Sequence, residues 1–169
     1  LILFSDKIEK FIPPKKGKSH VMRIIRELIF YKAEYQKTDI SQAIEFVQKV
    51  VKRKSVIFLL SDYLDSTFYK PLCNLNNKHD VVSIKFEDPS EIEIPNIGMV
   101  KLHDSESKKA VWVDSASDRI KRIMKSSNQK ARRNLNIFFN KNKIDFIPIN
   151  TAYGYIDPLI LFFTRRSNN

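Results

Sequence analysis

Apolar positions recur along this chain with two different periods, and the switches between them mark out its elements. Leu1 to Phe4 is a short apolar run, Ser5, Asp6 and Lys7 supply turn chemistry, and Ile8 to Ile12 alternates apolar with charged residues. The pattern predicts a β-hairpin whose second strand lies at or near a sheet edge, closed off by Pro13, Pro14 and Gly17. From Ser19, the expected cap, the period lengthens, and Val21, Met22, Ile24, Ile25, Leu28 and Ile29 share one helical face. A second helix begins around Thr38 and Asp39, where Asp39 followed by Gln42 fits a capping box. Ile40, Ala43, Ile44, Val47, Val50 and Val51 form its stripe, with Lys49, Lys52, Arg53 and Lys54 in the expected last turn, where positive charge suits the helix dipole.

Val56, Ile57, Phe58, Leu59 and Leu60 then run without a break and end at Ser61 and Asp62. Five consecutive apolar residues bounded by charge predict a central parallel strand covered on both faces. A helical segment follows from about Phe68 to Asn77, and Val81 to Phe86 is another strand, ending in Glu87, Asp88 and Pro89. Met99 to Leu102 and Ala110 to Val113 flank a polar turn at Asp104 to Lys108 and predict an added β-hairpin. Ser117 to about Lys143 is a long amphipathic helix with Ile120, Ile123, Met124, Ala131, Leu135, Phe138 and Phe139 inward. Asp145 to Ile149 is a last strand, Thr151 to Gly154 a loop, and Asp157-Pro158 opens a terminal helix over Leu159 to Arg165. Strands alternating with helices imply an α/β fold: a doubly wound, mostly parallel sheet with helices on both faces.

Composition narrows the reading. A chain of 169 residues, 43% hydrophobic and 29% charged, fits a single globular domain spanning 1–169. No apolar run approaches the roughly 20 residues that cross a bilayer. Cys73 stands alone, which rules out an internal disulfide and suits a reducing compartment, so a cytoplasmic location is expected. With only Gly17, Gly98 and Gly154, neither a dinucleotide fingerprint nor a P-loop can be written. The net charge of +11 favours an anionic partner, although the basic residues are spread along the chain. One helix is nevertheless strongly basic, with Arg119, Lys121, Arg122, Lys125, Lys130, Arg132 and Arg133. If these track phosphates the chain is a nucleic-acid-binding module with Arg119, Arg122, Lys125, Arg132 and Arg133 in contact; the simpler reading is a solvated outer face without interleaved aromatics.

The acids and histidines offer few constellations. In open α/β sheets ligands bind beyond the carboxyl ends of the strands, which makes Asp62 either a ligand for something bound there or a helix cap. Asp88 ends the next strand and reads as a turn acid before Pro89. Asp62 and Asp65 come from one loop, where metal binding or capping is simpler than paired acid/base work. His20, His79 and His103 lack zinc-type spacing and fit surface or capping roles. Ser61 sits in no G-x-S-x-G elbow, so no hydrolase triad is expected and the chain reads as non-enzymatic.

In order along the chain, several stretches carry a resemblance: Leu3-Phe4-Ser5-Asp6, Phe11 to Gly17, Thr38-Asp39-Ile40, Leu60-Ser61-Asp62-Tyr63, and His79-Asp80-Val81 leading to Asp88-Pro89 and Glu91. Ile94 to Gly98 and Arg165-Arg166 extend it. Together they resemble a von Willebrand factor A-type domain, and more closely the bacterial family of domain of unknown function fifty-eight. The resemblance implies a metal-ion-dependent adhesion site, in which three loops hold a divalent cation, usually Mg²⁺, and a partner's carboxylate completes the shell. Thr38 matches the second loop and Asp62 the third. The first, Asp-x-Ser-x-Ser, has no counterpart, since Asp114-Ser115-Ala116-Ser117 has the wrong spacing and precedes a helix. The expectation is therefore that the first central strand and its loop lie upstream of Leu1, that this chain alone binds Mg²⁺ poorly, and that open sheet edges favour pairing with another chain. Relatives of this kind are often encoded beside MoxR-type AAA+ ATPases, which implies an adaptor or co-chaperone that binds proteins.

Overall fold

The computed structural model describes residues 1–35, 37–88, 98–103 and 110–168, with the backbone alone at 100, 102, 103, 110 and 111. Two compact units share the chain, Leu1–Ile57 with Tyr63–Val81, and Phe58–Asp62 with Val82–Asn169. The described elements run β1 (Ile2–Phe4), β2 (Ile8–Phe11), α1 (Lys18–Phe30), α2 (Ile40–Val50), β3 (Val56–Ser61), α3 (Tyr69–Asn76), β4 (Asp80–Glu87), β5 (Met99–His103), β6 (Ala110–Asp114), α4 (Asp118–Lys141), β7 (Asp145–Asn150) and α5 (Ile156–Ser167).

In the first unit β1 and β2 form the expected antiparallel hairpin, with Ile2 opposite Phe11 and a register slip after Leu3. The Leu1 nitrogen donates to the Ile12 carbonyl at 3.0 Å, and the Ile12 N–H returns a bond to the Leu1 carbonyl at 2.8 Å. Helix α1 starts one residue after Gly17, whose φ of 110° is open to glycine and whose carbonyl accepts from His20 and Val21. Ser19 therefore lies inside the first turn, and its predicted capping role falls to a residue with no side chain.

Most of the apolar face of α1 is exposed. Val21, Met22, Ile25, Leu28 and Ile29 face solvent, as does Phe30 at the end of the helix. The cause is how the helix is tied down. Glu27 pairs with Lys10 of β2 at 2.7 Å, and the Tyr31 hydroxyl donates to the Glu9 carbonyl at 3.4 Å. At about 100° per residue Glu27 lies across the helix from Ile25 and Ile29, so the hairpin holds α1 by its polar side. Helix α2 behaves as expected: Ile40, Ala43 and Ile44 are buried, and it packs on α3 and the hairpin around Ile12, Phe68, Leu72 and Leu75. It ends at Val50, which leaves Lys52, Arg53 and Lys54 beyond its last turn.

The second unit is built on the parallel pair β4 and β7, in register from Val82 opposite Asp145 to Glu87 opposite Asn150. With β3 they form a parallel three-stranded sheet in the order β3-β4-β7. Successive strand residues point to opposite faces, and both faces of β7 are used. Phe146 stacks on Phe139 of α4 at 4.3 Å between centroids, while Ile147 and Ile149 join Val82 and Ile84 under Leu159 and Phe162 of α5. Helices thus cover both faces of this pair, as the strand–helix alternation predicts.

Strand β3 departs from expectation. Leu59 is buried, but Val56, Phe58 and Leu60 are 53%, 45% and 49% exposed. It lies at one end of the sheet order, and Phe58 approaches Phe163 of α5 at 6.4 Å between ring centroids. Along α4 only Leu135 and Phe139 are buried, whereas Ile123 and Ala131 are exposed. A helix of 24 residues runs about 36 Å. The six residues of β7 span about 20 Å, so β7 can underlie only part of α4. The added hairpin is present as β5 and β6, with Lys101 opposite Trp112, and the Ser115 hydroxyl closes its base on the Gly98 carbonyl at 2.7 Å. The turn at Asp104 to Lys108 lies outside the described residues. No helix among the described residues is long and apolar enough to cross a membrane.

Candidate functional site

The carboxyl end of β3 delivers Ser61 and Asp62. Asp62 is exposed, and the Ser61 hydroxyl donates to its carboxylate at 3.4 Å. Tyr63 then turns the chain sharply with φ 57°, a left-handed conformation uncommon for a bulky residue. Its ring is buried and meets Phe68 edge to face at 5.1 Å. That burial offsets backbone strain on the order of 1 kcal/mol or more.

Two residues further on, Asp65 gathers the surrounding loops of the first unit. Its carboxylate accepts the Thr67 hydroxyl at 2.6 Å, the Thr67 N–H at 2.8 Å and the Ile40 N–H at 2.9 Å. Burial works against its ionisation, but the bonds from Thr67, Ile40 and Ser66 outweigh it and hold the carboxyl below the usual carboxylate range. Asp39 caps α2 by accepting the Gln42 N–H at 3.1 Å, and its own N–H donates to the Ser5 carbonyl at 3.0 Å. The Thr67 hydroxyl lies 3.4 Å from the same Asp39 carboxylate. The β1–β2 turn, the start of α2 and the loop after β3 are thereby clasped together.

Asp39 and Asp65 between them serve the first N–H groups of α2, and Thr38 stands exposed just outside the cap. Sequence reasoning placed Asp65 in this loop but missed Tyr63 and Thr67. The signal for Thr67 was present: an acid two residues before a hydroxyl is the spacing of a local Asx-type turn. Tyr63 stands in the Leu60 to Tyr63 stretch of the resemblance, but its role depends on a ring that finds Phe68.

Thr38 belongs to the first unit and Asp62 to the second. A hydroxyl and a carboxylate are the hard oxygen donors that Mg²⁺ takes. Two such donors do not make a complete ligand set, and no group of three or more His, Cys, Asp or Glu suited to a metal occurs among the described residues. Asp114 to Ser117 is used elsewhere: the Asp114 carboxylate accepts from Ala116 at 2.9 Å, and Ser117 begins α4. Asp88 is exposed after β4. His79 is buried just after α3 rather than on the surface, its backbone N–H donates to the Leu75 carbonyl at 2.9 Å, and its Nδ1 has no hydrogen-bond partner among the described residues.

On α4, Arg119, Arg122, Lys125, Arg132 and Arg133 are exposed. Two already have partners within the chain. Arg122 Nε donates to the Asp118 carbonyl at 3.2 Å, and Arg132 Nε lies 3.7 Å from the buried Glu87 carboxylate, which also pairs with Lys85 at 3.4 Å. The described aromatic residues nearest in sequence, Trp112 and Phe138, lie outside this basic run.

These features define a mixed α/β protein with a parallel sheet and a loop clasp at the carboxyl end of one of its strands. The chain belongs to the family described as "Protein of unknown function DUF58", matched over residues 1–134. It is similar to an uncharacterized protein of Mycobacterium bovis and to one of Mycobacterium tuberculosis, each 26% identical over 99 residues, covering 57% of this chain and 31% of the relative. An uncharacterized protein of Mycobacterium avium is 31% identical over 70 residues, 41% of each. The chain thus spans about a third of the length of the first two. No solved structure matches it.

Proposed function

We propose that this chain is a large part of a von Willebrand factor A-like, non-enzymatic interaction module, acting in the cytoplasm as an adaptor or co-chaperone for a MoxR-type AAA+ ATPase. In the full-length protein Thr38 and Asp62 supply two oxygen ligands to a divalent cation, and docking of the partner depends on that cation. The observation that supports this reading is the position of Asp62, which is exposed just beyond the carboxyl end of a parallel strand, where open α/β sheets bind their ligands.

The test is a pull-down of the full-length protein against the ATPase encoded beside it, with Mg²⁺ or with EDTA. Capture lost in EDTA and on Asp62→Ala supports the reading. Capture indifferent to both discards the metal bridge. The basic face of α4 remains the alternative, as a nucleic-acid-binding module, and is weakened by the engagement of Arg132 with Glu87. Titration of labelled DNA and RNA at two salt concentrations separates the two, since phosphate contacts make affinity fall steeply with salt.

A further inference from the structure

A groove of about 360 Å³ runs along β7 between α4 and α5, wholly within the second unit. Ile144, Phe146, Pro148 and Phe162 give it an apolar floor. Its remaining walls are polar: Asn136 and Asn140 from α4, Arg165 and Arg166 from α5, and Asp145. All of these residues follow position 134, where the family match ends.

We propose that this groove captures the C-terminal residue of a partner polypeptide, with the free carboxylate at the arginines and an apolar last side chain on the floor. Three observations carry this. Arg166 is held in place, its Nε 3.3 Å from the Asp145 carboxylate and its guanidinium 5.4 Å from the Phe162 ring centroid, while Arg165 stands exposed beside it. Two guanidinium groups against one carboxylate leave one positive charge, which a single carboxylate balances through the charge-assisted pairing that arginine favours. The floor next to that charge is apolar, so an internal acidic side chain brings the charge without filling the groove. The third observation is Pro148. It has no N–H to offer, which makes β7 a poor template for an added strand and points to an occupant bound by its end. The amides of Asn136 and Asn140 offer both donors and acceptors to the ligand's last peptide groups.

The proposal does not involve Thr38 or Asp62, and one assay separates them. Fluorescence anisotropy of this chain is measured with a labelled glycine–serine pentapeptide ending in phenylalanine, as the free acid and as the C-terminal amide. The free acid is expected to bind saturably, with the amide at least roughly tenfold weaker and Arg165→Gln weakening the free acid by about the same factor. Asp62→Ala leaves the binding unchanged. Equal binding of acid and amide, or no saturable binding of either, overturns the proposal without reference to any variant's folding.

Discussion

Helices α1 and α2 carry similar amphipathic patterns, follow one another in sequence and belong to one unit, yet they meet opposite fates. Ile44 on the stripe of α2 is 1% exposed, and Ile29 on the stripe of α1 is 67% exposed. The ends differ in the same sense. The N-terminus of α2 is capped by Asp39 and reinforced by Asp65, while that of α1 follows a glycine with no side-chain cap. Periodicity thus establishes that a helix has an apolar face. Whether anything covers the face depends on where the helix is anchored, and α1 is anchored by Glu27 on its far side.

The largest effect should come from Ile44→Ala, at about 2–4 kcal/mol of lost stability in urea unfolding, because a buried aliphatic side chain is replaced by a cavity. Asp65→Ala should cost about 1–3 kcal/mol at neutral pH, since it orphans the Ile40 N–H and loosens the clasp. The pH dependence has a definite sign. With its folded pKa depressed, the Asp65 carboxylate contributes stability above about pH 4, and that contribution is lost as the pH falls through the folded value. The gap between wild type and Asp65→Ala should therefore narrow in acid; a constant gap would mean the bonds to Asp65 do not depend on its charge. Asp39→Ala should cost about 1 kcal/mol, an ordinary N-cap loss. Ile29→Ala should change stability by no more than about 0.5 kcal/mol. A loss near that of Ile44→Ala, with sedimentation showing a monomer, would erase the contrast between the two helices.

Much of the element order was legible in the sequence, because period-two and helical patterns are local. The Leu1–Ile12 hairpin, the α2 stripe, the β5–β6 hairpin and the Asp145–Ile149 strand all follow from such patterns. The errors are non-local. Val56 to Leu60 reads as a doubly covered strand because five apolar residues say nothing about how many neighbours are present. Ile123 and Ala131 read as inward because a helix pattern does not reveal the length of the strand beneath it. Of the candidate site, Asp62 and Thr38 were placed by position and resemblance. The clasp through Thr67 required a contact between different loops, and the turn at Tyr63 a ring contact with Phe68 that no local pattern announces. The groove at Arg165 and Arg166 was invisible for a related reason: its walls come from two helices and its floor from the β7 region between them.

The exposed side of β3 has a further consequence for the chain as a material. Val56 to Leu60 is an uncharged, β-prone window without proline, the composition that seeds cross-β stacking when such segments meet. Lys52, Arg53 and Lys54 lie immediately before it and Asp62 just after, where they act as gatekeepers. The net charge of +11 adds long-range repulsion between copies. Flanking charge can in this way keep an exposed strand face in solution.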